Sequence, residues 1–263
     1  MAEIKVVTIN LLSDLSRWEQ RRPLLVEGLQ TLAADVVALQ EVKLPRNTAA
    51  ELAQAAGYPH VYLTPKTGVE RGQEGIALLS RRPIIEQGWL DLVYQQRVAQ
   101  YIRVELDGQA VVVANGHFFW QPGESAPRLK QVERVLGWLH GLPGEPPFIV
   151  CGDFNSTPET RPVLRMLQDT QSAFMAVHGH EPEFTSPTPL RRSPWAVTKT
   201  LLGFFVLLRP RYLNLRWKGV LDYIFVDQRL RVLDCQVALN TPAAHDPRLY
   251  PSDHFGLVAR VEG

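Results

Sequence analysis

Polar side chains recur where the apolar runs of this chain stop. Asn10 closes IKVVTIN, Glu41 follows DVVALQ, His117 follows VVVANG, and Asp153 and Asn155 follow FIVCG. Asp222 opens DYIFVD, and Asp253 and His254 precede FGLVARV. Glu41, Asp153 and Asp253 offer hard carboxylate oxygens, the ligand type that suits Mg²⁺ or Mn²⁺. There is no close-spaced cysteine pair and no His-x-x-x-His for a structural or hydrolytic zinc site. Clustered carboxylates repel one another and raise one another's pKa, a cost that a divalent cation cancels. His117 and His254, with acids nearby, offer electrostatic clamps or proton donors. Charge neutralisation, an oriented water and a stabilised leaving group are what phosphate-ester hydrolysis requires. Singly, each residue also reads as an ordinary turn cap or solvated strand end. The collection is chemically more specific than its members.

These groups can meet only if several strand ends share one rim. The first half of the sequence alternates strand and helix. IKVVTIN reads as a strand, and Leu25, Leu29 and Leu32 mark one helical face, with Pro23 loosening its early part. DVVALQ is a second strand that leaves Glu41 at or just past its end. TAAELAQAAG reads as a helix with Thr48 and Glu51 as a capping box and Gly57 as its stop. HVYLT, GIALLS, PIIEQG, VAQYIRVEL and AVVVAN are strand-like, and Asp107-Gly108 signals a hairpin between the last two. Leu129, Val132, Leu136 and Leu139 trace another helix, followed by the strand PFIV. Thr157 and Pro158 suit the start of a short helix interrupted by Pro162. DYIFVD, RVLDCQVAL and FGLVARV end the chain as strands. Helices are too few for one per strand, so two packed mixed, largely antiparallel sheets flanked by helices are expected.

The ordered segments TIN (8–10), LQEV (39–42), GIALLSRRPI (75–84), GHF (116–118), GDFNSTP (152–158), LDYIFV (221–226) and SDHFGLV (252–258) resemble the endonuclease/exonuclease/phosphatase superfamily. The resemblance spans about the whole chain and implies an α/β (α+β) four-layer sandwich of the deoxyribonuclease I-like kind, a single domain over 1–263. It implies a Mg²⁺- or Mn²⁺-dependent phosphoesterase in which Glu41, Asn10 and Asp253 serve the metal. Asp153 and Asn155 match the pair that binds or orients the attacking water and the phosphate. His254 matches the phosphate-contacting histidine, Asp222 its carboxylate partner, and His117 the histidine near the leaving group. Arg97 stands where relatives place a phosphate-directed arginine, although an ordinary solvated edge residue is an equal reading. Thr185, in EFTSPTP, resembles a substrate-side threonine before the aspartate motif. Two departures stand out: Gly116 replaces the usual threonine before the histidine, and Phe118 the usual leucine after it.

The gap between TSPTP and LDYIF is unusually long. From Arg191 to Lys218 there are seven basic residues and no acidic one, which leaves 21 of the 28 basic residues against 27 acidic ones elsewhere. A general nucleic-acid coat is not indicated, whereas one local basic surface is. The stretch also carries LLGFFVLL, eight apolar residues where a membrane span needs about 20, so no transmembrane segment is expected. It reads as an insertion packed on the core, as a rim meeting anionic lipid, or as a surface for nucleic acid. The substrate is thus a phosphate ester with three readings: a DNA or RNA phosphodiester cut by a nuclease, a phospholipid or sphingomyelin-type ester, or none in a non-catalytic membrane- or partner-binding module. The two cysteines are too few for a disulfide framework, and the start reads as a strand rather than a signal. The expectation is cytoplasmic, with peripheral membrane association through 191–218 as an option.

Overall fold

The computed structural model describes residues 2–121, 125–191 and 217–263, so most of the basic apolar stretch lies outside the described residues. Twelve strands among the described residues form two six-stranded sheets. The first contains β1 (Glu3–Asn10), β2 (Val36–Lys43), β3 (His60–Pro65), β4 (Glu74–Ser80), β11 (Arg231–Ala238) and β12 (Gly256–Glu262), in the order β11-β12-β1-β2-β4-β3. The second contains β5 (Glu86–Asp91), β6 (Val98–Leu106), β7 (Gln109–His117), β8 (Phe148–Asp153), β9 (Thr170–Ser172) and β10 (Asp222–Asp227), in the order β5-β6-β7-β8-β10-β9.

Each sheet has one parallel pair at its centre, β1 with β2 and β7 with β8; the other neighbours are antiparallel. Parallel neighbours need a long crossover. Helix α1 (Trp18–Leu32) supplies the first and α3 (Ala126–His140) the second. Inward residues of both sheets, among them Val6, Ala38, Val113, Cys151 and Ile224, form one central core. Outward residues Val7, Val37 and Leu39 pack under α1 and α2 (Thr48–Ala56). Val112, Val150 and Phe225 pack under α3 and α4 (Arg161–Asp169). Burial on both faces explains why these strands read as unbroken apolar runs rather than alternating ones. The four-layer sandwich expected from the sequence is the architecture found.

Several local expectations hold. Asp107 and Gly108 both take positive φ, 46° and 83°, in the two-residue turn joining β6 to β7. Gly57 ends α2 in the left-handed region. Others shift. The cap of α2 is Asn47, whose side chain accepts from Ala50 N–H, because the Thr48 hydroxyl accepts from Lys43 N–H and Glu51 pairs with Arg46. α4 begins at Arg161 with Pro162 in its first turn, so this proline starts the helix rather than interrupting it, and Thr160 takes the cap position expected of Thr157. α1 runs through Pro23 without a break. The strand expected at PIIEQG begins later, at Glu86.

The connectivity builds the rim. β1, β2, β7 and β8 carry Asn10, Glu41, His117 and Asp153 towards their C-terminal ends. β10 runs antiparallel to β8 and starts at Asp222, opposite Asp153 in register. β12 runs antiparallel to β1 and begins just after His254.

Candidate active site

Asn10 sits at the end of β1 and ties the two sheets together. Its Nδ2 donates to Glu41 Oε1 at 3.2 Å and to Asp153 Oδ2 at 3.0 Å. Glu41, expected at or just past the strand end, lies inside β2 at a bulge. The register with β4 slips between Leu39 and Val42, and Glu41 adopts φ 55°. A bulge re-aims a side chain out of the pleat. This one turns Glu41 to the rim, where Oε2 accepts from Ser13 N–H at 2.7 Å. Burial raises the Glu41 carboxyl, but the Ser13 amide, the Arg97 charge and Asn10 outweigh it and hold the group below its usual range.

Asp153 is buried at the end of β8. Its Oδ1 accepts from Asn155 N–H at 2.9 Å, and Asn155 takes the left-handed conformation, φ 48°, that asparagine tolerates. Asn155 Nδ2 donates to Phe118 O at 3.1 Å, using one of its two amide hydrogens. Gly152 explains why this loop lies so close to β7, since a Cβ there would fall 2.0 Å from the Gly116 carbonyl oxygen. The departure at Gly116 also has a steric cause. A Cβ at 116 would meet the Phe118 ring at 2.7 Å, and that ring stacks on Phe154 with centroids 4.4 Å apart. Glycine at 116 and phenylalanine at 118 are one adaptation.

Two buried histidines flank Asp153 in opposite states. His117 Nδ1 lies 2.5 Å from the Arg97 guanidinium, which can only donate, so the neutral ring carries its proton on Nε2, 3.5 Å from Asp153 Oδ2. Burial, then the Arg97 charge, push the His117 pKa well down. His254 Nδ1 lies 2.8 Å from Asp222 Oδ2. Burial opposes its charge, but Asp222, Asp153 and Asp253 raise its pKa well above the usual value. The imidazolium therefore keeps its Nε2–H. Asp153, buried beside Asp222 and only partly relieved by His254, is pushed up to about 7.

Arg97 is buried, not a solvated edge residue. Its side chain also lies 3.4 Å from Glu74 Oε1 and keeps His117 neutral. Thr185 requires a correction. It is fully buried, and its Oγ1 accepts from Leu221 N–H at 2.9 Å and Asp222 N–H at 3.2 Å, so it seats Asp222 rather than facing a substrate. Asp253 is half-buried, with Oδ1 3.4 Å from Ser252 Oγ, whose one hydroxyl hydrogen goes to Asn10 O at 2.6 Å. Sequence reasoning missed Glu74, which also holds Lys66 Nζ at 2.6 Å, and the buried amides of Gln40 and Asn115, bonded to each other at 2.8 Å across the sheets. Their signal was adjacency: Gln40 precedes Glu41, and Asn115 lies two before His117.

The donors fit a hard divalent cation. Ligand atoms of Asp153, Asp222 and His254 lie within 4.8 Å of one another, and Asp222 Oδ1 is buried with no hydrogen-bond partner among the described residues. A charged His254 that donates to Asp222 is a poor ligand, however. Glu41, whose carboxylate accepts from Asn10 and Ser13 and carries no histidine partner, is the better oxygen ligand.

Two packed sheets with acidic side chains gathered at their strand ends define the deoxyribonuclease I-like class of phosphoester hydrolases. The chain belongs to the Endonuclease/Exonuclease/phosphatase family, matching it over residues 7–254. It is 29% identical to human 2',5'-phosphodiesterase 12 over 171 residues, 58% of this chain and 26% of that protein. It is 25% identical to Nocturnin of Drosophila melanogaster over 282 residues, covering 93% of this chain and 42% of that protein. The chain thus spans well under half the length of these relatives. The human Nocturnin catalytic domain with bound sulfate superposes with a TM-score of 0.75 at 23% identity, over 99% of this chain and 93% of that one. D. rerio TDP2 complexed with single-strand DNA product gives 0.76 at 16% identity over 100% of both chains. Among the described residues, no helix is long and apolar enough to cross a membrane.

Proposed function

We propose that the cleft hydrolyses a phosphodiester of an oligonucleotide or single-stranded nucleic acid with the aid of Mg²⁺ or Mn²⁺. The observation that carries this reading is Asp153 standing between His117, whose Nδ1 meets the Arg97 guanidinium, and His254, whose Nδ1 meets Asp222. Neighbouring titratable groups pushed to opposite states mark an acid–base assignment. Asp153 takes the proton of the attacking water, poised near neutrality for that task. Asn155 orients water and phosphate with its remaining amide hydrogen and oxygen. His254, held by Asp222, donates Nε2–H to a phosphoryl oxygen. His117, its tautomer fixed by Arg97, presents Nε2–H on the leaving-group side. Glu41, with Asn10 and Asp253, would hold a divalent cation, which would supply Lewis-acid polarisation and offset developing negative charge.

Two observations favour nucleotides over lipids. The relatives named above include a 2',5'-phosphodiesterase and a protein crystallised with single-strand DNA product. Trp120, three residues beyond His117, is 38% exposed, and Trp217, beside Gly219 and near Thr157, is 42% exposed; both suit stacking on bases. The residues that suggested lipid contact lie almost wholly outside the described ones.

The test is hydrolysis, with Mg²⁺ or Mn²⁺ added, of single-stranded DNA, RNA, 2',5'-linked oligoadenylate and mixed phosphatidylcholine/phosphatidylserine vesicles. Turnover of an oligonucleotide that disappears in folded Asp153→Ala and Glu41→Ala supports the reading. Hydrolysis of the vesicles alone, or near wild-type rates in either variant, overturns it.

A further inference from the structure

Among the described residues, Arg21 and Arg128 are buried at equivalent places. Arg21 lies in the first turn of α1 and Arg128 in the first turn of α3, the two crossover helices of the parallel pairs, and their exposures are 0% and 2%. Burying a guanidinium is costly unless its donors are satisfied. Both guanidinia are aimed at the backs of the loops that leave the central strands.

Arg21 NH1 donates to Leu11 O at 2.7 Å and Pro251 O at 2.9 Å, and NH2 to Leu12 O at 3.2 Å and Asp14 O at 2.9 Å. Two of these carbonyls belong to peptides whose N–H groups donate to Asn10 and Glu41. The peptide that presents Leu11 O to Arg21 presents Leu12 N–H to Asn10 Oδ1 at 3.0 Å. The next presents Leu12 O to Arg21 and Ser13 N–H to Glu41 Oε2 at 2.7 Å. A cation on one side of a peptide orients and polarises it, strengthening the donor on the other. Arg21 also grips Pro251, just before Ser252 and Asp253. It therefore fixes Asn10, Glu41 and the Asp253 loop together without touching the cleft.

Arg128 Nε donates to Phe119 O at 2.8 Å, NH1 to Ser156 Oγ at 3.2 Å, and NH2 to Gln121 O. It joins the segment after His117 to the segment after Asn155.

We propose that Arg21 is a positioning residue for the cation site and that Arg128 is its counterpart for the half of the cleft around His117 and Asn155. The assignment rests on the reading of Glu41 as a cation ligand. Outer groups that orient metal ligands are worth about 10- to 100-fold in metal affinity. Lysine keeps the charge at either position but not the planar fork of donors.

The test is Mn²⁺ affinity of the free protein, without substrate, by calorimetry for wild type, Arg21→Lys and Arg128→Lys, with kcat and KM for an oligonucleotide measured beside it. Arg21→Lys is expected to weaken Mn²⁺ by about 10-fold or more. Arg128→Lys is expected to leave Mn²⁺ affinity within about twofold, as for independent sites, and to lower kcat more than KM changes. Unchanged Mn²⁺ affinity in folded Arg21→Lys, or an equal loss in Arg128→Lys, overturns the division. A wild-type protein that binds no Mn²⁺ refutes the cation reading and this assignment with it. Where Arg21→Lys does not fold, the wild type decides by NMR. The Ser13 amide and Arg21 guanidinium resonances must move on Mg²⁺ titration while those of Arg128 stay; an unmoved Arg21 ends the proposal.

Discussion

The Asn10 amide on the first sheet donates to the Asp153 carboxylate on the second at 3.0 Å, and the same nitrogen reaches Glu41 at 3.2 Å. One neutral side chain thus spaces the buried Asp153 and the half-buried Glu41, two carboxylates that would otherwise repel. Its loss leaves both acceptors short of a donor. Asn10→Ala is expected to lower kcat/KM by about 10- to 100-fold and to weaken Mn²⁺ binding. Steady-state kinetics across a Mn²⁺ titration checks this, and a variant matching wild type at every Mn²⁺ level contradicts it.

Asp222 keeps His254 charged. In Asp222→Asn the imidazole loses its ion-pair partner and its pKa falls towards the usual value, which NMR of the His254 ring reports directly. The turnover rate at neutral pH is expected to drop by about 10²- to 10⁴-fold, the worth of a positioned proton donor.

Metal-free stability should carry the signature of Asp153. Its folded pKa, about 7, stands above the ordinary 3.8. A raised carboxyl binds its proton more tightly when folded, so its stabilising contribution is full below 3.8 and is lost as pH rises through about 7. His254, also raised, adds a loss in the same direction above its ordinary 6.5. Below 6.5 the depressed His117 gains stability as pH rises and offsets the Asp153 loss, so chelator-treated wild type is expected to lose melting temperature chiefly from about pH 6.5 to pH 8. Asp153→Asn should flatten this slope, and Mg²⁺ should restore stability at the upper end. A slope identical in the variant argues against a perturbed Asp153.

Gly116 and Phe118 are expected to couple. Gly116→Thr drives a side chain into the Phe118 ring, 2.7 Å from where its Cβ would stand, and overpacking of this kind costs about 1–3 kcal/mol. Phe118→Leu made with it vacates that space. The double variant should be more stable than the sum of the single changes predicts, measured as a denaturation double-mutant cycle. Additive losses would show that the two positions do not share one space.

Much of this protein is written locally. The strands announce themselves because burial on both faces demands continuous apolar runs, and the helices because a single face is buried. The Asp107-Gly108 turn and the Gly57 stop follow from conformations that few residues adopt. Asn10, Asp153, Asp222 and His254 could be picked out because each ends or opens such a run. What chain order alone could not decide is everything fixed by contact across long separations. The bulge that turns Glu41 to the rim depends on β4. The cap of α2 passes to Asn47 because Glu51 is claimed by Arg46 and by Trp18 Nε1. Thr185 serves Asp222 from behind, and Arg97 is buried against His117, only because β10 and β6 bring them there. The proton states of the two histidines belong to the assembled cleft, since a guanidinium beside one and a carboxylate beside the other exist only once the sheets have packed.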